Sequence, residues 1–173
     1  MAKLKREDLY SLEQYSEMRD DYRKKVMAHK ENRRLELGDN LLLSFEDQLI
    51  MQYQIQEMLR IEKVFEAHGI NEELDAYIPL IPDGHNRKAT FMIEYDYPEE
   101  RTRQLSRMIG IEDKVWLQIE DCERVYPIAD EDLSRDNEAK TSSVHFLRFE
   151  LTPAMIAAAH QGACVGAGIN HPA

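Results

Sequence analysis

Between Asp47 and Gly69 the chain runs through twenty-one residues without a Gly or a Pro. No other stretch restricts the fold so strongly, because a helix of this length and apolar content is stable only when packed against other elements. At about 100° per residue, Leu49, Tyr53, Val64, Ile50, Ile61, Phe65, Met58 and Met51 fill one arc of roughly 200°. Gln48, Gln52, Gln56, Glu62, Lys63 and Glu66 fall opposite. Asp47 suits the N-cap, and Gly69 suits a left-handed residue just past the last turn. The expectation is one long central helix over about 48–68.

The neighbouring segments are of both kinds. Ser11–Gln14 (S-L-E-Q) has the form of a capping box, and Leu12, Tyr15, Met18, Tyr22 and Val26 recur behind it at helical spacing, predicting a helix over about 12–30. Two short β-prone runs flank Gly38-Asp39, as in a hairpin. Asn71 can cap a short helix that stops near Tyr77, ahead of Pro79. Ala89, Phe91, Ile93 and Tyr95 alternate as in a strand, and Pro98 to Gly110 reads as a helix. Val115, Leu117 and Ile119 mark a further strand, 124–128 a short one, 129–142 a polar loop and 143–151 a clear strand. Thr152-Pro153 opens a short helix, and a Gly-rich turn leads into a last strand. Short connections between intermixed elements predict α+β: a mostly antiparallel sheet of about six strands with helices packed on it, in one domain spanning 1–173.

Composition narrows the function classes. Asp and Glu number 33 against 22 Lys and Arg, a net charge of −11, so no nucleic-acid contact is expected. Cys122 and Cys164 have neither zinc-site nor cluster spacing. The N-terminus lacks the apolar core of a signal peptide and no run is long enough to span a bilayer, which makes the cytoplasm the expected compartment. Gly-rich phosphate loops and catalytic elbow motifs do not occur.

Chemistry is sought instead where polar groups interrupt apolar faces. Glu57, Gln54 and Arg60 break the apolar arc of the 48–68 helix. A buried, unpaired carboxylate costs several kcal/mol, so Glu57 is expected to be ion-paired, protonated or bound to a cation. Arg60 or an arginine from the sheet, such as Arg148, is the expected partner. In the strand S-V-H-F-L-R-F-E-L, alternation sets His145 on an apolar face and Arg148 on the opposite one. Apolar groups on both faces predict a central strand covered on both sides. His171 follows the Gly-rich segment and could fold back over a pocket or fray. An internal pocket is therefore expected around Gln54, Glu57, Arg60 and His145. Glu57, His145 and His171 are the candidate metal ligands, a set that would suit iron, manganese or zinc.

Taken together, Y-Q-I-Q-E-M-L-R at 53–60, E-E-L-D-A-Y-I-P-L-I-P-D-G at 72–84, V-W-L-Q-I at 115–119, I-A-D-E-D-L at 128–133 and T-S-S-V-H-F-L-R-F-E-L-T at 141–152, with the terminal N-H-P, resemble the DUF3501 family. These bacterial proteins have no established activity. The resemblance implies recurring polar residues at Gln54, Glu57, Arg60, His145 and Arg148. It also implies an accessory part in a redox or oxidative-stress system, with a rubrerythrin-like or iron–sulfur protein as partner. Two other readings stay open. One is an enzyme on a small anionic substrate, with Glu57 as general base and Arg60 or Arg148 as anion holders. The other is a structural module that forms a homo-oligomer.

Overall fold

A computed structural model of the chain describes residues 4–131, 135 and 139–173. The chain divides into two compact units, residues 1–33 with 46–83, and residues 34–45 with 84–173.

The first unit is helical: α1 (Leu12–Glu31), α2 (Gln48–Glu62) and α3 (Ala67–Tyr77). The capping box forms as its sequence predicts, with Ser11 Oγ accepting from Gln14 N at 3.2 Å and Gln14 Oε1 from Ser11 N at 3.1 Å. Tyr15, Tyr22 and Val26 bury the α1 stripe against Tyr53 and Leu49 of α2. On another face of α2, Ile55 and Leu59 meet Leu4 and Leu74.

The single long helix over 48–68 does not form, because α2 stops at Glu62 and α3 begins at Ala67. Lys63 takes the left-handed conformation at φ 56°, and Val64 N donates to Leu59 O at 2.9 Å. This six-to-one bond closes a Schellman motif, with Val64 packing in the same cluster as Leu59. Left-handed backbone costs a lysine about 1 kcal/mol, which the capped carbonyl and the Val64 contact offset. Gly69 is therefore no terminator. It lies in the first turn of α3, where a Cβ would come within 2.6 Å of Val64 Cγ1. The break leaves Ile61 61 % and Phe65 73 % exposed, although both belonged to the expected apolar arc. Gln56, expected on the solvent side, is fully buried, and its amide takes the Tyr10 N–H at 2.6 Å and gives to the Tyr10 carbonyl at 3.3 Å.

In the second unit five strands form an antiparallel sheet in the order β1-β2-β3-β6-β5: β1 (Arg34–Glu36), β2 (Leu41–Phe45), β3 (Asn86–Ile93), β5 (Ile128–Ala129) and β6 (Val144–Glu150). Gly38, at φ 94°, supplies the turn between β1 and β2. Leu43 pairs with Phe91, and Phe91 in turn with His145. A second sheet pairs β4 (Val115–Ile119) with β7 (Val165–Ile169). Between β3 and β4 runs α4 (Pro98–Arg107), and α5 (Pro153–His160) joins β6 to β7. The two sheets and α4 share one core of Leu43, Phe91, Leu105, Val115, Leu117 and Phe149. The architecture is α+β with a mostly antiparallel sheet, as expected. The two faces of β6 are covered unequally: His145, Leu147 and Phe149 are buried, whereas on the opposite face Val144 is exposed and Phe146, beneath the Arg135 guanidinium, is half-buried. Of the expected polar loop over 129–142, residues 132–134 and 136–138 lie outside the described residues. Among the described residues no helix is long and apolar enough to cross a membrane.

Candidate functional site

The polar residues that interrupt the apolar faces form two separate clusters, one in each unit. In the first, α1 presents Tyr15 and Arg19 four residues apart, one helical turn, and α2 presents Glu57 and Arg60 three apart. Arg19 Nε reaches Glu57 Oε1 at 2.8 Å and its NH2 reaches Oε2 at 2.8 Å, a bidentate pair. The Tyr15 hydroxyl donates to Oε1 at 2.7 Å. Arg60 stands further off, with NH2 3.5 Å from Oε2. The principal partner of Glu57 is therefore Arg19, with the expected Arg60 second. The Arg19 hydrogen bonds hold the Glu57 carboxyl at about 2, against an opposing effect of burial. Burial, reinforced by the bond to Glu57, pushes the Tyr15 phenol well above its ordinary range. Gln54 is half-buried and takes no part in the cluster.

Arg148 lies in the other unit, where it binds Glu131 through Nε at 2.7 Å and NH2 at 2.6 Å, and also pairs with Glu150. Its guanidinium is thus held by two carboxylates on the half-exposed face of β6.

The second cluster surrounds His145, which is fully buried in β6 beside the Phe91 ring. A carboxylate only accepts, so Nδ1 carries the proton given to Asp130 Oδ2 at 2.6 Å. Nε2 lies 3.0 Å from Thr141 Oγ1 and 3.1 Å from the Ser142 carbonyl, and the Thr141 hydroxyl also faces buried Glu112 Oε2 at 3.5 Å. Asp130, at φ 47°, is engaged further by Phe146 N at 2.9 Å and Arg135 Nε at 3.1 Å. His145 thus ties the backbone on both sides of the 131–140 segment to one buried ring. The Asp–His–Thr order is that of a nucleophilic triad, but Thr141 is itself buried, at 2 % exposure.

The three expected metal ligands do not form one cluster among the described residues. Glu57 belongs to one unit and His145 and His171 to the other. Both Glu57 oxygens and both His145 nitrogens already face protein donors or acceptors. His171 lies apart from the His145 network: its Nε2 donates to the Ile109 carbonyl at 3.3 Å. No group of three or more His, Cys, Asp or Glu side chains among the described residues is arranged to hold a metal ion.

Arg19 and Asp130 are the charged partners that sequence reasoning missed, along with the hydroxyls of Tyr15 and Thr141. Arg19 lies one turn past Tyr15 on the α1 stripe, a readable signal. Asp130 depends on the antiparallel pairing of β5 with β6, which spacing alone does not reveal. The first unit also holds a groove of about 380 Å3 of mixed character, with Leu59, Val64, Phe65 and Ile70 on its walls beside Arg6 and Gln14.

Comparison with known proteins matches residues 3–173 to a family described as a protein of unknown function (DUF3501). No curated protein matches the chain. Among solved structures, a novel protein of unknown function from Burkholderia pseudomallei K96243 is 50 % identical with a TM-score of 0.93, over 99 % of this chain and 89 % of that one.

Proposed function

The chain belongs to the DUF3501 family of proteins of unknown function, and from that footing we propose that it is a non-catalytic accessory protein that acts by binding a redox partner. One observation carries the reading: Glu57 is closed off by its own protein. A general base works best with a pKa near the operating pH, whereas Glu57 sits at about 2 with both oxygens engaged. The first unit does offer two large apolar side chains to the outside. Phe65 and Ile61 stand exposed at the α2–α3 break, beside the groove that Phe65 helps to line. Projecting aromatic side chains of this kind are common anchors of protein contacts. The resemblance supplies the partner class, rubrerythrin-like or iron–sulfur proteins.

The test is calorimetric titration of the purified protein against the rubrerythrin-like and iron–sulfur proteins of its own host. Saturable binding that Phe65→Glu weakens at least tenfold, with folding unchanged, supports the reading. Failure to bind any of them, or turnover of a small anionic substrate that Glu57→Gln abolishes in a folded protein, overturns it.

A further inference from the structure

All charged residues of this −11 chain fall within residues 1–150; the last twenty-three residues, 151–173, contain no Asp, Glu, Lys or Arg. That segment forms α5 and β7. Helix α5 is apolar on every side up to His160, yet only Met155 is buried and Ala154 and Ala157 face solvent. A helix without a polar face normally lies inside a structure or an assembly.

Strand β7 adds a directional feature. It pairs with β4 along one edge only. Glu120 N donates to Cys164 O and Asn170 N to Lys114 O, so even-numbered residues turn their backbone groups toward β4. By alternation, Val165, Ala167 and Ile169 turn their N–H and C=O groups outward, and no described residue pairs with them. Val165 is 57 % exposed, and no Pro, Lys or other charge blunts the edge. Protein edges of this kind are usually guarded by such residues or covered by another strand.

We infer that β7 is the interface of a symmetric homodimer, in which β7 pairs antiparallel with β7 of a second copy. An antiparallel edge is its own complement across a twofold axis: Ala167 falls opposite Ala167, and Val165 opposite Ile169. The result is a continuous four-stranded sheet, β4-β7-β7-β4. Charge selects the same occupant. Two copies at −11 repel, and they approach at least cost through a segment that carries no charge. A basic partner, by contrast, would be met by carboxylates, and this segment has none.

Sedimentation equilibrium of the full chain over a range of concentration and salt tests the proposal. The expected mass is near twice the 20.3 kDa of one chain, with association tightening as salt screens the repulsion. Val165→Lys places a charge at the junction on each copy, and Ala167→Pro removes an outward N–H that β4 does not use. Both should sediment as 20.3 kDa monomers with unchanged circular dichroism. A wild type that stays monomeric at every concentration, or a dimer that survives in both folded variants, overturns the proposal. Should either variant fail to fold, hydrogen exchange on the wild type decides. The amides of Val165, Ala167 and Ile169 should slow as concentration rises, and exchange independent of concentration refutes the pairing.

Discussion

Replacing Glu57 with Gln keeps the shape of the side chain and removes its charge, and the consequence should depend on pH in a defined way. Folding lowers the Glu57 pKa from 4.5 to about 2. At 1.36 kcal/mol per pKa unit that is about 3 kcal/mol, which solvent screening at the 15 % exposed carboxylate reduces to about 2. A depressed carboxyl stabilises the fold fully above its unfolded pKa and loses that contribution as pH falls through the folded one. Glu57→Gln should therefore unfold more easily than wild type by about 2 kcal/mol at pH 7. The gap should shrink below pH 4.5, drop to less than half near pH 3 and close toward pH 2. Urea denaturation followed by circular dichroism, run on both proteins from pH 7 to pH 3, measures it. A gap that stays constant with pH, or no gap at all, would refute the ion-pair account of this cluster.

Three further outcomes test the packing. Gly69→Ala should lower stability by about 1–3 kcal/mol, read as a lower melting temperature, because its Cβ would meet Val64 Cγ1 at 2.6 Å. Gly168→Ala should disturb Trp116, whose ring would lie 2.4 Å from the new Cβ; as the chain has one Trp, a shift in its emission spectrum reports the change directly. In an alkaline absorbance titration, Tyr22 should ionise only near pH 12 because of its burial, and Tyr15 later still. Both steps should coincide with unfolding rather than precede it.

Much of the fold was legible where local chemistry decides it. The S-L-E-Q box, the Asp47 cap, Pro98 as the first residue of α4 and the alternation around Phe91 and Leu147 each act within a few residues, and each formed as read. The long helix failed because a Schellman cap, itself local, ends α2 at Lys63 without the glycine that usually marks one. Val64 packs in the same cluster as Leu59, and a lysine takes the left-handed turn. The single apolar arc failed for a different reason. Helix α2 meets α1 through Tyr53 and the N-terminal segment and α3 through Ile55 and Leu59, and a one-faced reading merges those surfaces.

The candidate residues were half legible in the same sense. Glu57 and His145 were correctly singled out as polar groups on apolar faces, because burial of polarity follows from periodicity. Their partners were not, since Arg19 comes from another helix and Asp130 from strand pairing. Nor could spacing show that Glu57 and His145 belong to different units.

The Glu57 oxygens and the His145 ring nitrogens are all engaged by protein groups, and on this reading they serve the fold. Elemental analysis with a visible spectrum, on protein purified without an affinity tag, tests it most directly. The expected result is a colourless protein with iron, manganese and zinc all far below one equivalent per chain. Stoichiometric metal that is lost in folded Glu57→Gln or His145→Gln protein would contradict it.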